Sequence, residues 1–205
     1  ASVTDEARVA EMVTAAMLAW GRIDILVNNA GILRDKTFAK MTIAEFRDVV
    51  DVHLIGAAIC TKAVWEIMRE QRYGRVVMTT SSSGLFGNFG QSNYGAAKMA
   101  LVGLMQTLAL EGEKYGIKVN CIAPTAATAM TDMLLQPEVL QRLSPELVSN
   151  GLPALVCEDA PTRTILCAGA GHFARSHVTL THGTHVGGGE DAPRRVMNGW
   201  ARISD

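Results

Sequence analysis

The chain has 205 residues, enough for one domain with a sizeable core. Hydrophobic residues make up 48% and charged residues 19%, which excludes a disordered chain, and a net charge of −1 offers nothing to attract nucleic acid or an anionic membrane. No apolar run approaches a membrane span, no signal-peptide pattern opens the sequence, and the four cysteines form no CxxC pair, so a cytoplasmic protein with reduced, buried thiols is expected.

Two hydrophobic periodicities alternate along the chain. Residues 5–20 place Val9, Met12, Val13, Ala16, Met17 and Trp20 at helical spacing, with Asp5 and Glu6 in the first turn. Residues 23–27 are a short apolar run ended by Asn28-Asn29-Ala30-Gly31, which predicts a buried strand and its turn. Thr42-Ile43-Ala44-Glu45 is a capping box that opens a long helix to about residue 71. A second buried strand is predicted over 75–80, a Ser/Gly/Asn-rich loop over 81–93, and a helix over 94–115 that Gly116 ends. A third strand, 117–122, is stopped by Pro124, and 125–160 reads as loop with short helices. Residues 177–182 alternate apolar and polar, which predicts a last strand. Alternation of this kind gives an α/β fold, a doubly wound parallel sheet with helices on both faces, whose ligand site lies at the carboxyl ends of the strands. The segments after Val27, Thr80 and Ile122 should therefore line one site.

Tyr94 and Lys98 stand four apart at the start of a helix, which stacks them on one face. A phenol is a poor base at neutral pH, and a neighbouring ammonium lowers its pKa. That tuning suits removal of a hydroxyl proton as hydride leaves the same carbon. Ser81, at the end of a strand, can hydrogen-bond the substrate oxygen as its charge changes. A Tyr-x-x-x-Lys pair alone is most often a surface pair; the strand, serine and Gly-rich loop before it carry the weight. His172, His177, His182 and His185 cluster in sequence, but a strand would send their rings to both faces, and no metal is expected.

Asn28-Asn29-Ala30-Gly31 after a strand, Ser81, Tyr94-Gly-Ala-Ala-Lys98 and Val119-Asn120-Cys-Ile-Ala-Pro124 are similar, in order and spacing, to four successive motifs of the short-chain dehydrogenase/reductase family. The resemblance runs from about residue 1 to residue 135. It implies a Rossmann-like fold and an oxidoreductase that moves hydride between NAD or NADP and a small-molecule hydroxy/keto substrate. It also implies roles: Tyr94 as general acid/base, Lys98 acting on Tyr94 and on the nicotinamide ribose, Ser81 orienting the substrate oxygen, and Asn28, Ala30, Gly31, Pro124 and Thr128 near the cofactor. His53 stands where many members have an asparagine that holds a proton-relaying water; a packed core histidine is the competing reading. The segments Gly87–Tyr94 and Asn29–Lys36 further resemble the (3R)-hydroxyacyl-CoA dehydrogenase unit of peroxisomal multifunctional β-oxidation enzymes and its bacterial relatives. The family assembles as homo-dimers or homo-tetramers, and the outer faces of helices 42–71 and 94–115 suit such packing.

Two departures matter. The family's Gly-rich phosphate loop, Thr-Gly-x-x-x-Gly-x-Gly, does not occur in the chain, and Gly187-Gly188-Gly189 is no substitute. The expectation is a shortened domain, residues 1–186, that lacks the first strands and helices of the family fold and leaves strand 23–27 with a bare edge, followed by a polar tail, 187–205. Ser2 stands where the family has an adenine-contacting aspartate, and Thr125 where it commonly has glycine. Two other functions stay open: a catalytically silent assembly partner, and a quinone or xenobiotic carbonyl reductase.

Overall fold

The computed structural model describes residues 2–127 and 143–205. The first helix, α1 (Glu6–Trp20), starts where Asp5 accepts a hydrogen bond from Arg8 N–H and ends at Gly21, whose φ of 71° is a left-handed cap. It leads into β1 (Ile25–Asn28). The predicted capping box is formed at both ends: the Thr42 hydroxyl accepts from Glu45 N–H, and the Glu45 carboxylate accepts from Thr42 N–H. The helix it opens is not continuous. It runs as α2 (Ile43–Val50), relaxes into one π-helical turn over Asp51–Ile55, and resumes as α3 (Gly56–Gln71). Such turns insert a residue into an α-helix and often mark functional sites.

Strand β2 (Gly74–Thr79) is buried at every position, as a strand covered on both faces must be. The predicted loop over 81–93 holds a short helix, α4 (Ser82–Phe86), capped by Ser81 itself, before α5 (Ser92–Gly112). Strand β3 spans Ile117–Thr125, so Pro124 does not stop it. Cys121 N–H points to Thr164 O across the sheet, so by alternation position 124 would aim its N–H the other way, past the last β2–β3 pair, Thr79 with Ile122. A missing donor costs no ladder bond there.

After two short helices, α6 (Pro145–Ser149) and α7 (Leu152–Val156), the sheet closes with β4 (Ile165–Gly169) and β5 (His172–Ser176). These two form an antiparallel hairpin whose turn residues, Ala170 and Gly171, both have positive φ. The strand expected over 177–182 is therefore displaced: β5 ends at Ser176, and Leu180 is 96% exposed. Within the polar tail, α8 (Ala192–Asn198) and α9 (Trp200–Ser204) are helical.

The sheet order is β1-β2-β3-β4-β5, parallel except for β5. Alternate strand residues feed two cores. Val76, Met78, Val119 and Cys121 pack with Val64 and Met68 of α3 and Leu101 and Met105 of α5, while Val77 and Ile122 pack with Val148, Leu155 and Ala168 on the other face. At the amino ends of the strands Arg75, 3% exposed, donates to four backbone carbonyls: Gly74, Gly116, Cys157 and Glu158. That satisfies a buried guanidinium without a carboxylate.

Among the described residues β1 is the edge of the sheet, as expected. Its Ile25 and Val27 are 47% and 38% exposed. An unblocked parallel edge of this kind templates association. The 205-residue chain expressed alone should therefore self-associate, and Val27→Lys should shift it toward monomer in sedimentation velocity; an unchanged distribution would rule out the β1 edge as the contact.

Candidate active site

The carboxyl ends of β1, β2 and β3 bring the expected residues together. Thr79 ends β2, and the chain turns so that Ser81 caps α4 with its Oγ accepting Ser83 N–H at 3.2 Å. That bond occupies an acceptor site of the hydroxyl and leaves its proton free to donate. The Tyr94 side chain, on the first turn of α5, comes near enough to the Ser81 hydroxyl for that group to favour the phenolate. One turn on, Lys98 is 3% exposed, donates from Nζ to Thr79 O at 2.5 Å, and lies 5.4 Å from the centre of the Tyr94 ring. Thr80 closes the arrangement by donating to Lys98 O at 2.6 Å. Serine, tyrosine and lysine thus meet at one place beyond the end of β2, the serine by following it in the chain and the lysine through Thr79 O.

The electrostatics depart from the expectation. Burial pushes the Tyr94 phenol above its ordinary 10, the Ser81 hydroxyl pulls it back, and the Asp35 carboxylate adds to the rise. Burial also brings Lys98 from 10.5 down to about 8. Desolvation disfavours phenolate and ammonium alike. The net direction at Tyr94 is therefore upward, not downward, and the phenol holds its proton at neutral pH.

His53 lies on the π-helical turn, 3% exposed. Its Nε2 meets the backbone of Ile32 (2.8 Å from O, 3.1 Å from N), and its ring packs edge-on against Tyr94 with centroids 5.1 Å apart. Burial first, then the Lys98 charge, lower its pKa from 6.5 to about 4, so it is neutral at pH 7. Its Nδ1 is buried with no hydrogen-bond partner. The ring explains Gly31: a Cβ there would sit 2.3 Å from His53 Cε1.

The residues expected near a cofactor divide. The Asn28 amide is spent on Thr61 Oγ1 at 3.0 Å and Met78 Sδ at 3.2 Å, and Thr79 Oγ1 donates to Asn29 Oδ1 at 3.1 Å, so both asparagines brace β1 against its neighbours. Ala30 is exposed at the site, Pro124 is half-buried near the end of β3, and Thr128 lies outside the described residues. Asn120 of the third motif is structural: its amide donates to Leu155 O and Pro161 O and accepts from Thr164 N–H. A cavity of about 160 Å³ runs from Val3 and Met12 along Val27–Ala30 to His53, Cys60 and Lys98. Neither Tyr94 nor Ser81 lines it, so it backs the site from the β1 edge rather than opening over the reactive pair.

A nicotinamide dinucleotide fits one end of this arrangement. Lys98 points a buried amine at the site with one bond to Thr79 O, leaving N–H groups for a ribose hydroxyl, and the Asn29-Ala30 turn lies open beside it. Among the described residues no Gly-rich strand-to-helix turn is present to cradle the pyrophosphate. Nor is any group of three or more His, Cys, Asp or Glu side chains close enough together to hold a metal ion among those residues. The sequence assigns no role to Asp35, Gln91 or Asn93, although all three stand inside the segments Asn29–Lys36 and Gly87–Tyr94; hydrogen bonds across 56 and 59 residues reveal them.

Residues 1–138 match the family model for short chain dehydrogenases. The chain is 45% identical over 208 residues to a short-chain type dehydrogenase/reductase of Mycobacterium tuberculosis, covering 100% of this chain and 71% of that protein. It is 44% identical over 198 residues to the peroxisomal hydratase-dehydrogenase-epimerase of Saccharomyces cerevisiae, covering 95% of this chain but 22% of that protein. Full-length peroxisomal multifunctional enzyme type 2 from Drosophila melanogaster superposes with a TM-score of 0.82 at 35% identity, covering 100% of this chain and 36% of that one. A short chain dehydrogenase from Mycobacterium avium superposes at 0.83 with 31% identity, covering 99% and 71%. The chain thus spans only a part of the multifunctional proteins it matches.

Two predictions follow from the buried ring and the buried amine. Gly31→Ala drives a methyl group into His53 and should destabilise by about 1–3 kcal/mol, most of which disappears in a His53→Ala background. Additive losses in that denaturation cycle would separate the two residues. For the titrating groups, His53 at about 4 against 6.5 and Lys98 at about 8 against 10.5 both bind protons more weakly folded than unfolded. Stability therefore rises with pH across each window. Lys98→Met should be the more stable protein at pH 7 by on the order of 1 kcal/mol, a buried-charge cost of on the order of 3 less the bond lost at Thr79 O, and the gain should vanish toward pH 10.5. Urea unfolding at the two pH values measures it, and a variant less stable than its parent at pH 7 refutes the sign.

Proposed function

Since the chain belongs to the short-chain dehydrogenase/reductase family, whose members are nicotinamide-dependent oxidoreductases, we propose that it interconverts a hydroxy and a keto substrate with Tyr94 as the proton-transferring group. The observation that carries this is the meeting of Ser81, Tyr94 and Lys98 at the end of β2.

A bound nicotinamide dinucleotide supplies the hydride acceptor or donor. The chain's own groups handle the oxygen. In the reducing direction the protonated Tyr94 phenol donates to the substrate oxygen as negative charge grows there, and the free proton of Ser81 makes a second hydrogen bond to it. In the oxidising direction Tyr94 must first lose its proton, and Lys98, charged below about 8, stabilises the phenolate. His53 is neutral at pH 7, so a relay through it uses the exchange of neutral tautomers: Nε2 faces Ile32 O, and the buried, unpartnered Nδ1 is the nitrogen with a site to take up a proton. Asn28, Ala30, Gly31 and Pro124 border the nicotinamide end, with the first three acting through backbone and shape.

The substrate is proposed to be a 3-hydroxyacyl-CoA or its keto partner. The name of a Synechocystis relative 40% identical over 142 residues, 3-oxoacyl-[acyl-carrier-protein] reductase, supports a 3-oxoacyl group, the resemblance of Gly87–Tyr94 and Asn29–Lys36 supports the CoA thioester, and Phe86 at the end of α4 and Phe89 beyond it are 75% and 90% exposed. Assembly into homo-dimers or homo-tetramers is proposed through the outer faces of α3 and α5, where Leu110 is 57% exposed. No helix among the described residues is long and apolar enough to cross a membrane. The four free cysteines suit a reducing compartment, and a cytoplasmic location is proposed on that ground.

Tyr94→Phe keeps the ring and removes the proton. It should lower kcat by about 10²–10⁴-fold while circular dichroism is unchanged. Turnover equal to the parent's, over a panel of acyl-CoAs, steroids and quinones with each nicotinamide cofactor, would exclude Tyr94 as the acid/base.

A further inference from the structure

Asn93 precedes Tyr94 on the first turn of α5 and is completely buried. An N-terminal turn leaves backbone N–H groups without intrahelical partners. The first i→i−4 bond of α5 is Gly95 N–H to Gln91 O, so Tyr94 N–H is the last of these orphans. Asn93 Oδ1 accepts it at 2.7 Å. The other end of the same amide donates to Arg34 O at 3.1 Å, with a longer contact to Glu45 O at 3.5 Å. One buried side chain therefore joins the backbone of Tyr94 to the loop after β1 and to α2.

Neighbouring bonds show that this junction is built up on both sides. Gln91 Nε2 donates to Asp35 Oδ2 at 2.6 Å and Gln91 Oε1 accepts from Asn88 Nδ2 at 3.0 Å. Lys36 N–H donates to Gly90 O at 2.9 Å, and the Lys36 ammonium pairs with Glu45, the residue that completes the capping box of α2. The loop held in this way also carries Ile32, whose backbone binds the imidazole that packs edge-on against Tyr94.

We propose that Asn93 is a positioning residue for the reaction, fixing where the Tyr94 phenol stands by tying its backbone N–H to Arg34 O. The proposal rests on Tyr94 being the acid/base. Removing the amide leaves a buried donor and a buried acceptor unpaired, and the end of α5 shifts to satisfy them. A displacement of about 1 Å at the reacting group costs on the order of 10²-fold in rate.

The test uses the full-length protein, acetoacetyl-CoA with NADH or NADPH, and three variants. Asn93→Leu should lower kcat roughly 10- to 100-fold with KM within about threefold of the parent. Asn93→Asp is the conservative rescue. When protonated, the introduced carboxyl accepts from Tyr94 N–H through one oxygen and donates to Arg34 O through the other; when ionised it cannot donate. Burial and the Asp35 carboxylate raise its pKa. Charged side chains on the elements packed against it include Arg34 and Lys36 on the loop, Glu45 on α2, which pairs with Lys36, and Lys98 on α5; Tyr94 and His53 are neutral at pH 7. Its kcat, taken as a ratio to the parent, should rise as pH falls through that pKa.

A merely structural asparagine would lower the melting temperature and leave both kcat per folded molecule and this ratio unchanged. That result overturns the proposal, and the ratio alone decides if Asn93→Leu fails to fold. Tyr94→Phe is the control. If it retains turnover, the reading of Tyr94 fails; if it is inactive while both Asn93 variants match the parent, only the role of Asn93 falls.

Discussion

A buried ammonium organises this site. Lys98 projects from α5 under the end of β2, where Thr79 O accepts a hydrogen bond from it, and it is 3% exposed. Water is kept from it by the same packing that forms the larger core, in which Leu101 and Met105 of α5 lie against β2 and β3. The charge acts on what surrounds it. It lowers the His53 pKa and opposes the burial that takes the Cys121 thiol to about 12. In a low-dielectric setting, one unpaired positive charge makes every nearby anion easier and every nearby cation harder to form.

The cost of that placement accounts for the molecule's other compromises. Burial weakens the ammonium, bringing it to about 8, and raises the phenol it serves. Serine, lysine and tyrosine therefore do not yield a preformed phenolate. They yield a neutral phenol with a donor beside it and a cation within reach, an arrangement better matched to charge that develops during reaction than to charge standing in the ground state. The π-helical turn belongs to the same design. It carries His53 to the Tyr94 ring, and Gly31 has no Cβ because the imidazole fills that space.

The sheet sets the limits of the site. The side that carries Ser81, Tyr94 and Lys98, from β2 through α5, is closed by packing on both faces and by the hydrogen bonds between residues 34–45 and 88–93. Its β1 side is open, and an apolar cavity follows the exposed edge to Lys98. Ser81, Tyr94 and Lys98 are separable in this architecture from groups that would hold a phosphate, because the former sit just after β2 and on α5 and the latter depend on a strand-to-helix turn.

Much of this was legible from residue order. Local rules sufficed for α1, the capping box at Thr42, β2 and the Tyr94–Lys98 face, since each depends on neighbours within four positions. Where competition with distant chain decides, local reading failed. Residues 177–182 alternate as a strand should, yet the edge position went to His172–Ser176, which the Ala170-Gly171 turn folds back on β4. Pro124 continues β3 because its neighbour on that side has ended. The sequence by itself determined the family motifs and the spacing that sets Tyr94 and Lys98 one turn apart on α5. Only the tertiary structure decided their proton affinities, the neutrality of His53 and the hydrogen bonds of Asn93, because desolvation and hydrogen bonds across dozens of residues have no signature in local spacing.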